Sequence, residues 1–325
     1  MRASLLAVWV ALAASSHLYA QRGQTAYVSN ERSRTISIVD LDAARVIGTI
    51  PVDGRPRGIR MSADGRQVYV ALSDDLPHRE GGQDAIVGID AARRRITGRY
   101  PSGTDPEQFD LTRDGRFLYA ANEDAGTASA VDLATRKVLA TLVVGIEPEG
   151  VAVSPDGRRA YVTAETSNSV SVIDTRSNAV VANFLVEARP RGVAVSPDSR
   201  RLYVSSEIGG TLTTVDATSN EIVATLRLGS GDGKPVGVAV APDGGQVFVA
   251  SGAAGTLSFV SADGARVVAV VKVGRRPWGV AVTRDGRRAV TANGVSNDIS
   301  IVDVATRRVV ATVPVGDGPW GVAIR

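Results

Sequence analysis

The sequence predicts an all-β protein: a seven-bladed β-propeller built from four-stranded antiparallel blades. Three observations predict it. A unit of about 42 residues recurs seven times, each unit contains four short strands, and the last unit is followed by a single extra strand. Repeats of about 40 to 45 residues with four strands each are typical of propeller blades and not of helical solenoids.

Three markers define the repeat, and their spacing is almost constant. Each proline marker lies 13 residues before the next aromatic marker, which lies 13 residues before an aspartate, except for 21 residues in the second copy. The aspartate lies 16 residues before the next proline, except for 19 in the fifth copy. The aromatic markers are Tyr27, Tyr69, Tyr119, Tyr161, Tyr203 and Phe248, with Val290 in the seventh copy. The aspartates are Asp40, Asp90, Asp132, Asp174, Asp216 and Asp303, with Ser261 in the sixth copy. The prolines are Pro56, Pro106, Pro148, Pro190, Pro235, Pro277 and Pro319, each opening a Pro-x-Gly except Pro106.

The fourth copy shows how each unit divides into strands. Strand a spans 151–153, strand b 160–163, strand c 169–174 and strand d 179–186, with an Asp-Gly turn between a and b. The first copy begins at strand b near Tyr27, and residues 321–325 form a lone strand a. This order predicts that the C-terminal strand closes the ring by pairing with the N-terminal strands, which leaves no open sheet edge there.

The first twenty residues differ from the repeats. Arg2 precedes a short apolar stretch and a small residue, Ala20, which is the order found in a secretory signal peptide. The stretch is shorter than the roughly 20 residues that a membrane span needs. We therefore predict a signal peptide over 1–20, a propeller domain over 21–325, and a periplasmic or secreted protein without disulfides, because the chain has no Cys.

Composition argues against several function classes. The formal net charge is only +3, and the 37 cationic and 34 anionic residues are interspersed, which gives no support for nucleic-acid binding. His78 is the only histidine after the signal peptide and lies in a polar loop insertion. No cluster of Cys and His could bind zinc or haem, so we expect no metal and no cofactor.

The repeats resemble those of a known family. Residues 27–30 (YVSN), 161–164 (YVTA) and 290–293 (VTAN) look like degenerate copies of the YVTN repeat of a β-propeller family. Within that family, the chain resembles the propeller proteins associated with PQQ-dependent alcohol catabolism in bacteria. The resemblance covers the whole chain after the signal peptide and implies the fold, but it supplies no catalytic residue.

Length variation points to one face of the propeller. The b–c and d–a loops open on the same end of each blade, and both insertions lie in such loops, within 74–84 and at 230–233. Variable loops on a rigid scaffold often carry binding sites, although neutral drift in two exposed loops would give the same pattern.

The residues on either side of each marker proline should ring the mouth of the central channel on that face. We expect a ligand- or partner-binding site there, formed by Arg55, Arg57, Asp105, Glu107, Glu147, Glu149, Arg189, Arg191, Trp278 and Trp320. Three interpretations remain open. The ring is a set of inter-blade salt bridges, or a binding mouth in which the tryptophans stack on a planar group and the arginines orient an anion. In the third, the carboxylates form a cation or acid–base site.

The expected function is that of an exported, non-catalytic binding or interaction propeller, accessory to PQQ-dependent alcohol oxidation. Its partner would be a small molecule or a periplasmic protein such as a quinoprotein dehydrogenase. One alternative is a lactonase-type hydrolase that uses acidic residues and His78 near the mouth. Another is an envelope protein that presents a flat propeller face to other proteins.

Overall fold

The computed structural model describes residues 24–74 and 84–325. The predicted signal peptide, most of the insertion in the second copy and His78 lie outside these residues. The described residues form 28 β-strands in seven four-stranded antiparallel sheets, which confirms the predicted fold class. A search of the same residues finds no helix that could cross a membrane.

Each blade runs in sheet order from an inner strand a to an outer strand d. The first blade contains β28 (Pro319–Ile324), β1 (Thr25–Asn30), β2 (Thr35–Asp40) and β3 (Arg45–Pro51). The second contains β4 (Arg55–Met61), β5 (Gln67–Ser73), β6 (Ala85–Asp90) and β7 (Arg95–Tyr100), and the third β8 (Pro106–Leu111), β9 (Phe117–Asn122), β10 (Thr127–Asp132) and β11 (Lys137–Val143). The fourth contains β12 (Pro148–Val153), β13 (Arg159–Ala164), β14 (Ser169–Asp174) and β15 (Ala179–Leu185), and the fifth β16 (Pro190–Val195), β17 (Arg201–Ser206), β18 (Thr211–Asp216) and β19 (Ile222–Arg227). The sixth contains β20 (Pro235–Val240), β21 (Gln246–Ser251), β22 (Thr256–Ser261) and β23 (Val267–Lys272), and the seventh β24 (Pro277–Val282), β25 (Arg288–Asn293), β26 (Asp298–Asp303) and β27 (Arg308–Pro314).

The ring closes through the last strand, as the sequence predicts. Strand β28 pairs antiparallel with β1, with Val28 opposite Val322, and the Arg325 amide donates a hydrogen bond to the Thr25 carbonyl at 2.8 Å. Each inner strand also contacts the inner strands of both neighbouring blades, including β28 against β24 and β4. The first blade is therefore held by the same contacts as the others.

The apolar core lies between blades. Residues of strands b and c are buried and pack against the next sheet, so that Tyr27 and Ile38 of the first blade share a cluster with Val70 of the second. Three of the tyrosine markers extend this contact with a hydrogen bond to the following blade's c–d turn. Tyr27 donates to the Ala91 carbonyl at 3.1 Å, and Tyr119 donates to the Asn178 side-chain oxygen at 2.6 Å.

Strand a begins earlier than the sequence indicated, because the Pro-x-Gly segment belongs to it as a β-bulge. In every blade the pairing register between strands a and b shifts between the marker proline and the residues just after it. A bulge changes the direction of a side chain while pairing continues on both sides of it. The residue x of each segment is thereby placed at the channel mouth.

The glycine of this motif is required because the next blade leaves no room for a side chain there. A Cβ atom on Gly150 or Gly192 would collide with the backbone carbonyl of Arg191 or Val236, which is the residue x of the next blade. Hydroxyl groups bridge the same contact. The Gly150 amide donates to the Thr163 hydroxyl at 2.8 Å, and that hydroxyl donates to the Arg191 carbonyl at 3.0 Å. Neighbouring inner strands are thus joined through backbone atoms.

Candidate functional site

Two kinds of loop meet at the channel mouth in the part of the chain that the structure describes. The d–a loop brings in the residues that flank the marker proline, and the b–c loop begins with the residue that follows strand b. A backbone hydrogen bond joins the two loops of a blade. In the third blade the Glu123 amide donates to the Asp105 carbonyl at 3.1 Å, and in the fourth blade the Glu165 amide donates to the Glu147 carbonyl at 2.8 Å. Side chains from both loops therefore lie side by side.

The first charged cluster is centred on Arg57, in the second blade. Its guanidinium group contacts the Glu107 carboxylate of the third blade and lies 3.1 Å from Glu31 Oε1 of the first blade. Glu123 Oε2 lies 3.5 Å away. Arg55 joins the cluster from the same blade, 3.3 Å from Glu31 and 3.5 Å from Asp105.

The second charged cluster is centred on Arg191, in the fifth blade. Its three guanidinium nitrogens lie 2.9 Å from Glu149, 2.6 Å from Glu165 and 3.0 Å from Glu207. All three carboxylates are buried, each about 3% exposed. Arg189 adds a 2.6 Å contact to Glu165. These two clusters give strong support to the salt-bridge interpretation of the ring.

The remaining predicted residues are Trp278, Trp320 and Glu147. The Trp278 ring is covered by two guanidinium groups, Arg276 at 4.4 Å and Arg191 at 5.4 Å from its centre, in cation–π geometry. Trp320 is buried in the closing strand of the first blade, 9% exposed. Glu147 is exposed and contacts the Thr166 hydroxyl of its own blade.

Burial makes two glutamates weak acids. Desolvation, together with the neighbouring Glu149, raises the pKa of Glu123 to about 7 against the opposing effect of Arg57. Desolvation raises the pKa of Glu149 to about 8, because the nearby Glu165 adds to it and Arg191 only partly offsets it. Both side chains therefore exchange protons close to neutral pH.

The charge balance of the mouth agrees with this titration. Among the described residues, the two clusters and Arg276 contain seven carboxylates and five guanidinium groups. Protonation of two glutamates makes these numbers equal, which lowers the cost of burying so many charges. The mouth is thus a nearly neutral network.

Four carboxylates of this network, and Arg276, were not predicted as site residues from the sequence. The carboxylates are those of Glu31, Glu123, Glu165 and Glu207, each of which is the first residue of a b–c loop. Each lies four residues after a tyrosine marker, so a signal was present in their common repeat position. What the spacing could not reveal is that the bulge in strand a turns the arginines of neighbouring blades toward them.

A smaller group within the mouth has the composition of a cation site. Carboxylate oxygens of Asp105, Glu107 and Glu123 lie within 4.8 Å of one another. Oxygen ligands of this kind suit magnesium or calcium. Arg57 contacts two of the three carboxylates and already supplies a positive charge at this point.

Outside the clusters, the mouth face divides into two sectors of opposite charge. We define the acidic sector as the loops at 123–126, 143–147, 165–168, 185–189 and 207–210, in the third to fifth blades. Outside the clusters, its charged residues are the anionic Asp124, Glu147 and Glu187. We define the basic sector as the loops at 228–234, 252–255, 273–276, 294–297, 315–318 and 31–34. Outside the clusters, its cationic residues are Arg32, Arg34, Lys234 and Arg275, against Asp232 and Asp317.

The acidic sector also bears large apolar side chains in contact with solvent. Val143 is 80% exposed, Leu185 69%, Ile208 62% and Ile146 61%. The same face of the basic sector has one large aliphatic side chain of this kind among the described residues, Val295, at 47%. The two sectors therefore differ in apolar character as well as in charge.

Comparison with known proteins supports the architecture. The chain is 28% identical to the seven-bladed β-propeller protein Rv1057 of Mycobacterium tuberculosis over 109 residues, which is 33% of this chain and 26% of that protein. The match therefore spans about a quarter of that relative's length. This chain is a seven-bladed propeller.

Solved structures have the same fold. A Kuenenia stuttgartiensis hydrazine synthase chain superposes with a TM-score of 0.76 at 21% identity, over 86% of this chain and 92% of that one. A candidate 6-phosphogluconolactonase from Bacteroides uniformis gives 0.77 at 17% identity, over 94% and 100%.

The propeller also matches the profile of the cytochrome D1 heme domain, over residues 78–200. That is less than half of the chain. The described residues contain no histidine or cysteine to serve as an axial ligand, and Met61 packs against the core between the first two blades. The mouth is occupied by the paired charges described above. The described residues therefore do not fit a haem.

Proposed function

We propose that this protein is an exported binding propeller that receives a protein partner on its mouth face and serves PQQ-dependent alcohol oxidation as an accessory. The observation that carries the proposal is that paired charges and exposed apolar side chains occupy different parts of this face. Buried charges at the centre pair with one another across blades, while loops around them expose large apolar side chains. Apolar exposure of this kind is typical of interaction surfaces.

The central charges favour binding over catalysis. Arg57 and Arg191 each contact three carboxylates, so neither guanidinium group is free to orient an anionic substrate. Such pairs hold neighbouring blades in register and give the surrounding loops a rigid base. A rigid base lowers the entropy that a partner must remove on binding.

The link to PQQ-dependent oxidation rests on the resemblance of the repeats, and two measurements test it. The first is whether a quinoprotein dehydrogenase gene lies beside the gene of this protein. The second is binding of that purified dehydrogenase to immobilised propeller, for which we expect a Kd of about 10 µM or tighter. Glu147→Lys should weaken binding, and Arg176→Glu, on the opposite face, should not. No such gene, or no complex at about 100 µM, would overturn the link.

Lactone hydrolysis is a second candidate, favoured by the proton affinities of Glu123 and Glu149. A carboxylate with a pKa of about 7 suits a general base at neutral pH, and a protonated Glu149 suits a general acid. Glu123 would take a proton from a water molecule while the water oxygen attacks the lactone carbonyl carbon. Glu149 would protonate the ring oxygen as its bond to that carbon breaks.

Lactone turnover, measured with and without added divalent metal, tests this candidate directly. Turnover that is lost in Glu149→Gln and in Glu123→Gln, with both variants folded, would establish hydrolysis and displace the binding proposal. Absence of turnover on a broad panel of lactones would leave the binding propeller as the function.

A further inference from the structure

We propose that the acidic sector of the mouth face binds a protein segment that presents lysine or arginine side chains around an exposed aliphatic side chain. This inference rests on the proposed function and names the chemistry of the partner. It arises from two independent properties of one surface, its charge and its apolar exposure.

The sector is a continuous surface. The Ile146 amide donates to the Ser167 hydroxyl at 2.8 Å, and Leu185 pairs with Ser169 at the end of the same b–c loop. The Gly209 amide, next to Ile208, donates to the Ala188 carbonyl at 2.9 Å. These contacts link the loops at 143–147, 165–168, 185–189 and 207–210 in order, so the loops that carry the exposed aliphatic side chains form one row along the face.

The charges of the row point to a cationic partner. Glu147 and Glu187 are exposed beside the aliphatic side chains, and the sector has only one cationic residue, Arg189, which is engaged with the buried Glu165. An anionic partner would meet repulsion, and an uncharged one would gain no steering. A segment that alternates basic and aliphatic residues would satisfy both properties of the surface.

The alternation also fits the spacing of side chains on an extended segment. Successive residues of a strand point to opposite sides, and residues i and i+2 point to the same side. A short extended segment would therefore place its aliphatic side chains on the row, and its long basic side chains would bend around the edges of the segment to reach Glu147 and Glu187. Either direction of the segment's backbone along the row would satisfy these contacts.

The repeat supplies a matched control. Ile208 and Val295 occupy the same position of the repeat, the second residue of the b–c loop, but in opposite sectors. Glu187 and Asp232 provide a similar pair of d–a loop acids. Ile208→Ser and Glu187→Lys should weaken binding, whereas Val295→Ser and Asp232→Lys should not.

The probes are three labelled hexapeptides with blocked ends, measured by fluorescence anisotropy against the full-length purified protein. One alternates leucine and lysine, one leucine and glutamate, and one serine and lysine. We expect the leucine–lysine peptide to bind at least about tenfold more tightly than the others at low salt, and to weaken as salt screens the charges. Ile208→Ser or Glu187→Lys should each reduce its affinity by about threefold or more.

Three outcomes would overturn the proposal. They are equal binding of the leucine–glutamate peptide, equal losses in Val295→Ser and Ile208→Ser, and a concentration-dependent dimer in sedimentation that Ile208→Ser abolishes. The last outcome would make a second copy the occupant. Any of these results could coexist with dehydrogenase binding through another part of the face, so failure here is distinguishable from failure of the proposed function.

Discussion

Arg191 Nη1 lies 2.9 Å from Glu149 Oε1, and the two residues belong to neighbouring blades. Arg191 also contacts Glu165 and Glu207, so one guanidinium group connects carboxylates of the fourth and fifth blades. The contact is buried on both sides, with the Arg191 side chain 12% exposed and the Glu149 side chain 3% exposed. Removal of one partner leaves the others as uncompensated buried charges.

We therefore expect Arg191→Met to lower the free energy of unfolding by about 3 to 5 kcal/mol. Arg189→Met is the control, because the Arg189 side chain is 41% exposed and water screens its charge, so its loss should cost about 1 kcal/mol or less. Equilibrium unfolding in urea at pH 7 measures both variants. Equal losses would show that the burial of Arg191 has no special importance.

The raised pKa values of Glu123 and Glu149 predict a stability that depends on pH. A carboxyl whose pKa is higher in the folded state stabilises the fold below its unfolded pKa, and that contribution is lost as pH rises through the folded value. With folded values of about 7 and about 8, the melting temperature should fall between pH 6 and pH 9, by about 4 °C or more. Glu149→Gln should flatten this dependence. A wild-type melting temperature that stays constant over this range would contradict the assigned protonation.

The closing strand should be essential for stability. A chain that ends after Pro319 lacks most of β28, so β1 loses its inner partner and the first blade loses its contacts with β24 and β4. We expect the melting temperature to fall by roughly 10 °C or more, because an inner strand is lost from a closed ring. Differential scanning calorimetry measures this. An unchanged transition would show that the ring does not depend on this closure.

The tyrosine hydroxyls should contribute separately from their rings. Tyr119→Phe removes the hydrogen bond to Asn178 on the next blade and should cost about 1 kcal/mol, whereas Tyr119→Ala also leaves a cavity and should cost about 3 to 5 kcal/mol. Phe248 occupies the same repeat position without a hydroxyl, so Phe248→Tyr tests whether a hydroxyl is tolerated there. Urea unfolding of the three variants compares them. A Tyr119→Phe variant as stable as the wild type would show that the bond adds nothing.

The repeat markers predicted the fold almost completely, since their spacing determines blade number, strand order and ring closure. The site was predicted only in part. Arg57, Glu107, Glu149 and Arg191 were recognised from their places around the prolines, and the structure brings them into two charged clusters. Glu165 and its equivalents were missed, because their contacts depend on a bulge whose direction cannot be read from alternation alone. The charge sectors were missed because they appear only when loops from different blades are viewed on one face.

The Pro-x-Gly segment separates the atoms that join the blades from the atoms that face the channel. Adjacent inner strands meet through a glycine, a hydroxyl and the carbonyl of residue x, and the side chain of x takes no part in that contact. The side chains at x form a separate connection, in which Arg57 pairs with Glu107 and Arg191 pairs with Glu149. Two boundaries between blades therefore combine uncharged backbone packing, which pH does not alter, with buried ion pairs, which pH does alter.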